Sequence, residues 1–152
     1  MKFISCLVLF LFLIACKSTS SISDKDSNLL FSIEKGPCFG TCPQYKVEVY
    51  ADGNAYYYGH QNVDKIGEYK VYLPASLLKQ MKEELAQSNL ATLDTAYVNK
   101  FLTDFPAIDL YFDLKQGRKH IHIFHEQPPS EIDRLLHLID GFEQSINWKN
   151  TN

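Results

Sequence analysis

Apolar and polar residues alternate with a period of two in six segments of this chain, and that pattern leaves few folds open. Successive side chains of a strand point to opposite faces, so each such segment reads as a strand with one buried face. Leu29, Phe31 and Ile33 alternate with Leu30, Ser32 and Glu34, and Tyr45, Val47 and Val49 alternate with Lys46, Glu48 and Tyr50. Asp52-Gly53 marks the hairpin turn into a third strand at 55–58. A two-residue turn there sends Tyr56 and Tyr58 inward. A three-residue loop with Gly53 as a bulge sends Ala55 and Tyr57 inward, and this is the favoured register because it faces the smaller pair to the core. A fourth strand at 66–73 places Tyr69, Val71 and Leu73 on one face.

Helical spacing takes over after Pro74, which stands where a helix accepts its first residue. Leu77, Leu78, Met81 and Leu85 form the apolar stripe, with Lys79, Lys82, Glu83 and Glu84 on the wet side. Residues 91–105 show no period and read as a long connection. Ile108, Leu110, Phe112 and Leu114 then alternate with Asp109, Tyr111 and Asp113, and Ile121 and Ile123 alternate with His120 and His122 after a turn at Gln116-Gly117. Pro128-Pro129 stops that strand. Ser130 with Asp133 resembles a capping box for a last helix, whose stripe is Ile132, Leu135, Leu136, Ile139, Phe142 and Ile146. The order is ββββ-α-ββ-α. Alternating strands need cover on one face only, so the expectation is an α+β fold: an antiparallel sheet of about six strands with two helices packed on one face. A chain of 152 residues has room for one such domain, expected at 29–148 with a short tail at 149–152.

The start of the chain is of another kind. Thirteen of its first 15 residues are apolar, with one Lys and no acid. The uninterrupted apolar run, Cys6 to Ala15, is 10 residues long, about half of what a membrane-crossing helix needs. A basic start, a short apolar run and a small residue at its end describe a secretory signal. Leu13-Ile14-Ala15-Cys16 resembles the lipobox of bacterial lipoproteins, in which a diacylglyceryl group is carried on the thiol and the leader is cut just before it. The resemblance implies a signal peptide at 1–15 and a lipidated Cys16, the acyl chains providing membrane attachment. Lys17, where that family uses Asp for inner-membrane retention, implies the outer membrane, with the domain facing the periplasm or the cell surface. Cleavage would leave 137 of the 152 residues and, with Lys2 gone, move the formal charge from −3 to −4. Residues 17–28, with five Ser and one apolar residue, read with Cys16 as a tether spanning roughly 19 Å.

Within the domain, Gly36-Pro37-Cys38-Phe39-Gly40-Thr41-Cys42-Pro43, Tyr45, Tyr50, Asp52-Gly53, Tyr57 and Gly59 resemble the signature of a bacterial family of secreted proteins and lipoproteins built on a domain of unknown function. The resemblance covers roughly residues 29–148. It brings no substrate, cofactor or catalytic residue.

Chemistry-bearing residues are few. A formal charge of −3 gives no reason to expect a nucleic-acid partner. Cys38 and Cys42 are the even pair left to the domain, and in an oxidising compartment such thiols pair. The alternative is a redox or metal thiol pair. Redox motifs use two intervening residues at a helix N-terminus, and a zinc site needs two further ligands; neither is evident. A hairpin turning at Gln116-Gly117 pairs Asp113 with His120 and Tyr111 with His122. Two imidazoles two residues apart beside a carboxylate can hold a divalent metal, but a third and a fourth ligand are lacking, and the reading is a solvated polar face. Ser130, His137 and the helix acids have no nucleophile–base spacing. No catalytic residue, metal or cofactor is therefore expected. What remains is the sheet face away from the helices. It is expected to display Tyr50, Tyr56, Tyr58, Tyr72, Tyr111 and Phe124, with His120 and His122, among Lys46, Glu48, Lys70 and Asp109. Aromatics in a polar frame suit recognition of an envelope protein or a glycan. The competing function is a small thiol-redox or metal-binding protein using Cys38 and Cys42 or the two histidines.

Overall fold

The computed structural model describes residues 28–151. The expected signal peptide at 1–15, the expected lipidation at Cys16 and the expected tether up to residue 27 lie outside the described residues. Strand β1 (Leu29–Lys35) is paired on both sides, antiparallel to β2 (Gln44–Tyr50) and to β6 (Ile108–Leu114). Beyond β2 come β3 (Asn54–Gln61), β4 (Gly67–Tyr72) and the two-residue β8 (Lys149–Asn150); beyond β6 come β7 (Gly117–Phe124) and β5 (Ala96–Val98). The described residues thus form one eight-stranded sheet, antiparallel except for the β5–β7 pair, in the order β5-β7-β6-β1-β2-β3-β4-β8. Helices α1 (Ala75–Gln87) and α2 (Ser130–Ser145) complete an α+β fold. Among the described residues no helix is long and apolar enough to cross a membrane.

Parity along the strands selects the core. Phe31, Ile33, Val47, Val49, Ala55, Leu110, Phe112 and Ile121 have no solvent exposure, and Tyr57 is buried with them. They meet Met81 from α1 and Ile132, Leu135, Ile139 and Phe142 from α2 in one cluster. Trp148 closes its end, with its ring centroid 5.6 Å from that of Tyr57 and 5.3 Å from that of Phe142. The inward pair Ala55 and Tyr57 confirms the bulged register at the first hairpin. Gly53 has φ +93°, a conformation that costs a side chain dearly and glycine little. The Asp52 carboxylate accepts from the Asn54 backbone N–H at 2.9 Å and from its side-chain amide at 2.6 Å, which fixes the corner.

Four sequence expectations are corrected. Residues 91–105 are not one connection, because they hold a 3-10 turn at Leu90–Thr92 and strand β5. A three-residue strand has no readable period, and it is held by backbone pairing, including His122 N–H to the Thr95 carbonyl at 2.9 Å. Lys149 and Asn150, assigned to the tail, pair with β4. Ser130 is not a cap, since its hydroxyl donates to Glu131 at 3.2 Å. Pro129 and Pro74 stand at the N-cap positions with extended backbone, and the carbonyl of each accepts from the N–H groups three and four residues on, all at 3.0 Å. The second hairpin turns at Lys115-Gln116, with Leu114 opposite Gly117, one residue earlier than expected. A positive φ of +120° at Gly117 places the glycine at the start of the returning strand rather than inside the turn. Asp113 therefore faces Arg118, Tyr111 faces His120 and Asp109 faces His122. Partners move by two residues, so every side chain stays on its expected face.

Gly59 illustrates how tight this end of the sheet is. A Cβ at that position would overlap the backbone carbonyl oxygen of Lys65, which cannot swing away as a side chain can. The Gly59→Ala variant is expected to lose about 3 kcal/mol of stability, read as a lower urea midpoint at unchanged slope; a midpoint equal to that of the parent would contradict the packing.

Candidate functional site

Strand pairing sets the side chains of the face away from the core in rows. One row runs His122, Asp109, Glu34, Lys46, Tyr58, Glu68, and its neighbour runs His120, Tyr111, Ser32, Glu48, Tyr56, Lys70. The expected face residues Tyr56, Tyr58, Tyr111, His120 and His122 are thereby brought together on one surface, partly or fully exposed. Tyr50 belongs to the same face but is only 7% exposed, so it supports the surface more than it forms it. Tyr72, at the end of β4, is 70% exposed.

Two carboxylates organise this face. Glu48 accepts the Lys46 ammonium at 2.6 Å, the Tyr50 hydroxyl at 2.9 Å and the Tyr58 hydroxyl at 3.2 Å. Burial alone would raise its carboxyl, but the Lys46 and Tyr50 contacts, with the Tyr58 hydroxyl, outweigh it and hold Glu48 below the ordinary range. The same burial and the nearby Glu48 charge push both the Tyr50 and Tyr58 hydroxyls up, so they stay protonated and donate. The Tyr56 ring meets Tyr50 edge-on at 5.6 Å and stacks on Tyr58 at 6.4 Å, with the Lys70 ammonium 5.3 Å from its centroid. The second hub is Asp109. His120 Nε2 lies 2.6 Å and His122 Nδ1 2.9 Å from the same oxygen, Oδ1. Burial works to raise the Asp109 carboxyl, and the bonds from His122 and His120 outweigh it and lower it. The Tyr111 ring lies over His120 at 4.5 Å with the planes 7° apart. Asp109 was expected on this face without a histidine partner; only the corrected hairpin register makes it the residue both imidazoles share.

Cys38 and Cys42 are joined in a disulfide with their Cα atoms 5.9 Å apart, as expected. In this bonded state the sulfurs offer no thiolate for metal ligation. The loop they close exposes Phe39 at 89% and is tied to the β3–β4 loop by the Asn62 side-chain amide, which donates to the Cys42 carbonyl at 3.1 Å. Beside it opens a cleft of about 290 Å³ lined by Pro43, Tyr45, Asn62, Asp64, Asp140 and Glu143 among others. The Lys35 ammonium lies 2.8 Å from Asp140, and the Tyr45 hydroxyl 3.4 Å from the same oxygen. Burial raises the Glu143 carboxyl, against the pull of the Lys65 and Lys35 charges and with the help of Asp140 and Asp64. Sequence reasoning missed this cleft. A signal existed: Lys35 continues the inward parity of Phe31 and Ile33, where a charge needs a partner from the helix layer.

Two outcomes follow. Replacing both Cys38 and Cys42 with Ser should cost about 2 kcal/mol, the entropy of closing so short a loop, measured by thermal unfolding; a loss near zero would remove the loop's restraining role. Because the carboxyl of Glu48 is lower in the folded than in the unfolded chain, its contribution is complete above its unfolded value near 4.5 and is lost as the pH falls through the folded one. Glu48→Gln should therefore flatten the acid limb of a plot of urea midpoint against pH, and an unchanged limb would contradict the hub.

No curated protein matches the chain. Residues 29–143, which run from the first residue of β1 into α2 and so take in the disulfide loop and the face just described, match DUF6438, a domain of unknown function. The chain belongs to the DUF6438 family.

Proposed function

We propose that this chain is a lipid-anchored protein of the bacterial cell envelope that acts as a non-enzymatic recognition module, binding an envelope protein or glycan through the open face of its sheet. The observation that carries the reading is the surface formed by Tyr56, Tyr58, Tyr111, His120 and His122, partly or fully exposed on the face opposite the helices. Tyr and His present apolar rings with polar tips, and a ring already held by neighbours loses little entropy when a partner binds. The hydroxyl of Tyr58 and the imidazole of His120 are held in this way. Attachment at Cys16 is supported by the lipobox-like Leu13-Ile14-Ala15-Cys16 and the short apolar run before it. The Ser-rich composition of residues 17–28 is that of a linker between such an anchor and the domain.

A photo-crosslinking residue placed at Tyr58 or Tyr111 in intact cells should give a discrete adduct. The same residue at Lys79, on the wet side of α1, should give none; equal labelling from all three positions would sink the recognition face. Labelling with an alkyne fatty acid should mark the parent chain and not the Cys16→Ser variant, and an unlabelled parent chain would sink the anchor.

A further inference from the structure

Among the described residues, Asp109, His120 and His122 bring three metal-ligating atoms within 4.8 Å of one another. We propose that they form a binding site for a single divalent transition-metal ion of the zinc type on the open face of the sheet. Imidazole nitrogen and carboxylate oxygen are the donors such an ion takes, at about 2.0–2.2 Å each. Donors on a tetrahedral ion of that size stand about 3.4 Å apart. Oδ1 of Asp109 now lies 2.6 Å from His120 Nε2 and 2.9 Å from His122 Nδ1, so each of these two separations opens by less than about 1 Å to admit the ion in place of the two hydrogen bonds. The two imidazole nitrogens already lie within 4.8 Å of one another.

The scaffold suits the task. All three residues stand inside paired strands, His122 directly across from Asp109 and His120 two positions along the same face. Metal sites gain precision from such rigid placement. The Tyr111 ring, flat against His120, restrains the rotation of that imidazole while leaving Nε2 pointed at Asp109. Side-chain exposures of 27% for Asp109, 36% for His122 and 47% for His120 leave a path for the ion to enter. Three protein donors leave one tetrahedral position to water or to a donor atom from a partner, the arrangement of an open rather than a purely structural site.

Titration calorimetry of the purified full chain with zinc chloride near neutral pH, after chelator treatment and dialysis, tests the assignment. One saturable site is expected, accompanied by a zinc-dependent rise in the thermal midpoint. Asp109→Asn and His122→Gln should each weaken binding by more than about tenfold, and the double variant His120→Gln/His122→Gln should abolish both the heat and the stabilisation. His137→Gln, which alters the exposed Asp133–His137 pair on α2, should leave them unchanged. Circular dichroism of each variant establishes that it is folded. Absence of saturable heat from the parent chain, or binding that survives in the folded double variant, overturns the proposal.

Discussion

The pairing of β1 on both of its edges is the constraint on which the rest of the molecule depends. Phe31 stands opposite Val49 on one side and Phe112 on the other, and Ile33 stands between Val47 and Leu110. These side chains have no solvent exposure, so a slip of one residue on either edge would turn a whole apolar row away from the helices and set the exposed Glu34 carboxylate into the core in its place. The cost of that slip is what makes the two faces of the sheet chemically distinct. One face is a floor for two helices, and the other is left to polar and aromatic chemistry.

At the end of the sheet where β1 gives way to β2, backbone devices are added to hydrophobic burial. The disulfide closes the loop 36–43, Asn62 ties it to the loop after β3, and the absence of a side chain at Gly59 lets the Lys65 carbonyl lie against the strand. Several residues of the sequence signature, among them Pro43, Tyr45 and Tyr57, come together at the cleft so formed. Tyr45 and Tyr57 stack there at 5.4 Å between ring centroids, so the cleft is floored by the edge of the core.

On the open face, charge is arranged around two acids rather than spread evenly. Glu48 gathers Lys46, Tyr50 and Tyr58, and Asp109 gathers His120 and His122. Each hub orients rings that would otherwise rotate freely. Rings ordered in this way have already lost the rotamer freedom that a contact would otherwise cost.

Period-two patterning was enough to place β1, β2, β3, β4, β6 and β7, to choose the bulged first hairpin, and to say which side chains meet the helices, because burial acts on every second residue wherever the partner strand lies. Covalent pairing of Cys38 with Cys42 was legible for a similar reason: four residues and a glycine suffice to bring the sulfurs together locally. Beyond those local rules the sequence was silent. Strands β5 and β8 are too short to carry a period, and they exist because neighbouring edges offer unpaired backbone groups. The Lys35–Asp140 pair and the sharing of Asp109 by His120 and His122 join residues 105, 11 and 13 positions apart. Only the tertiary structure decided them, because a turn displaced by one residue moves every partner across the hairpin by two while leaving the alternation itself unchanged.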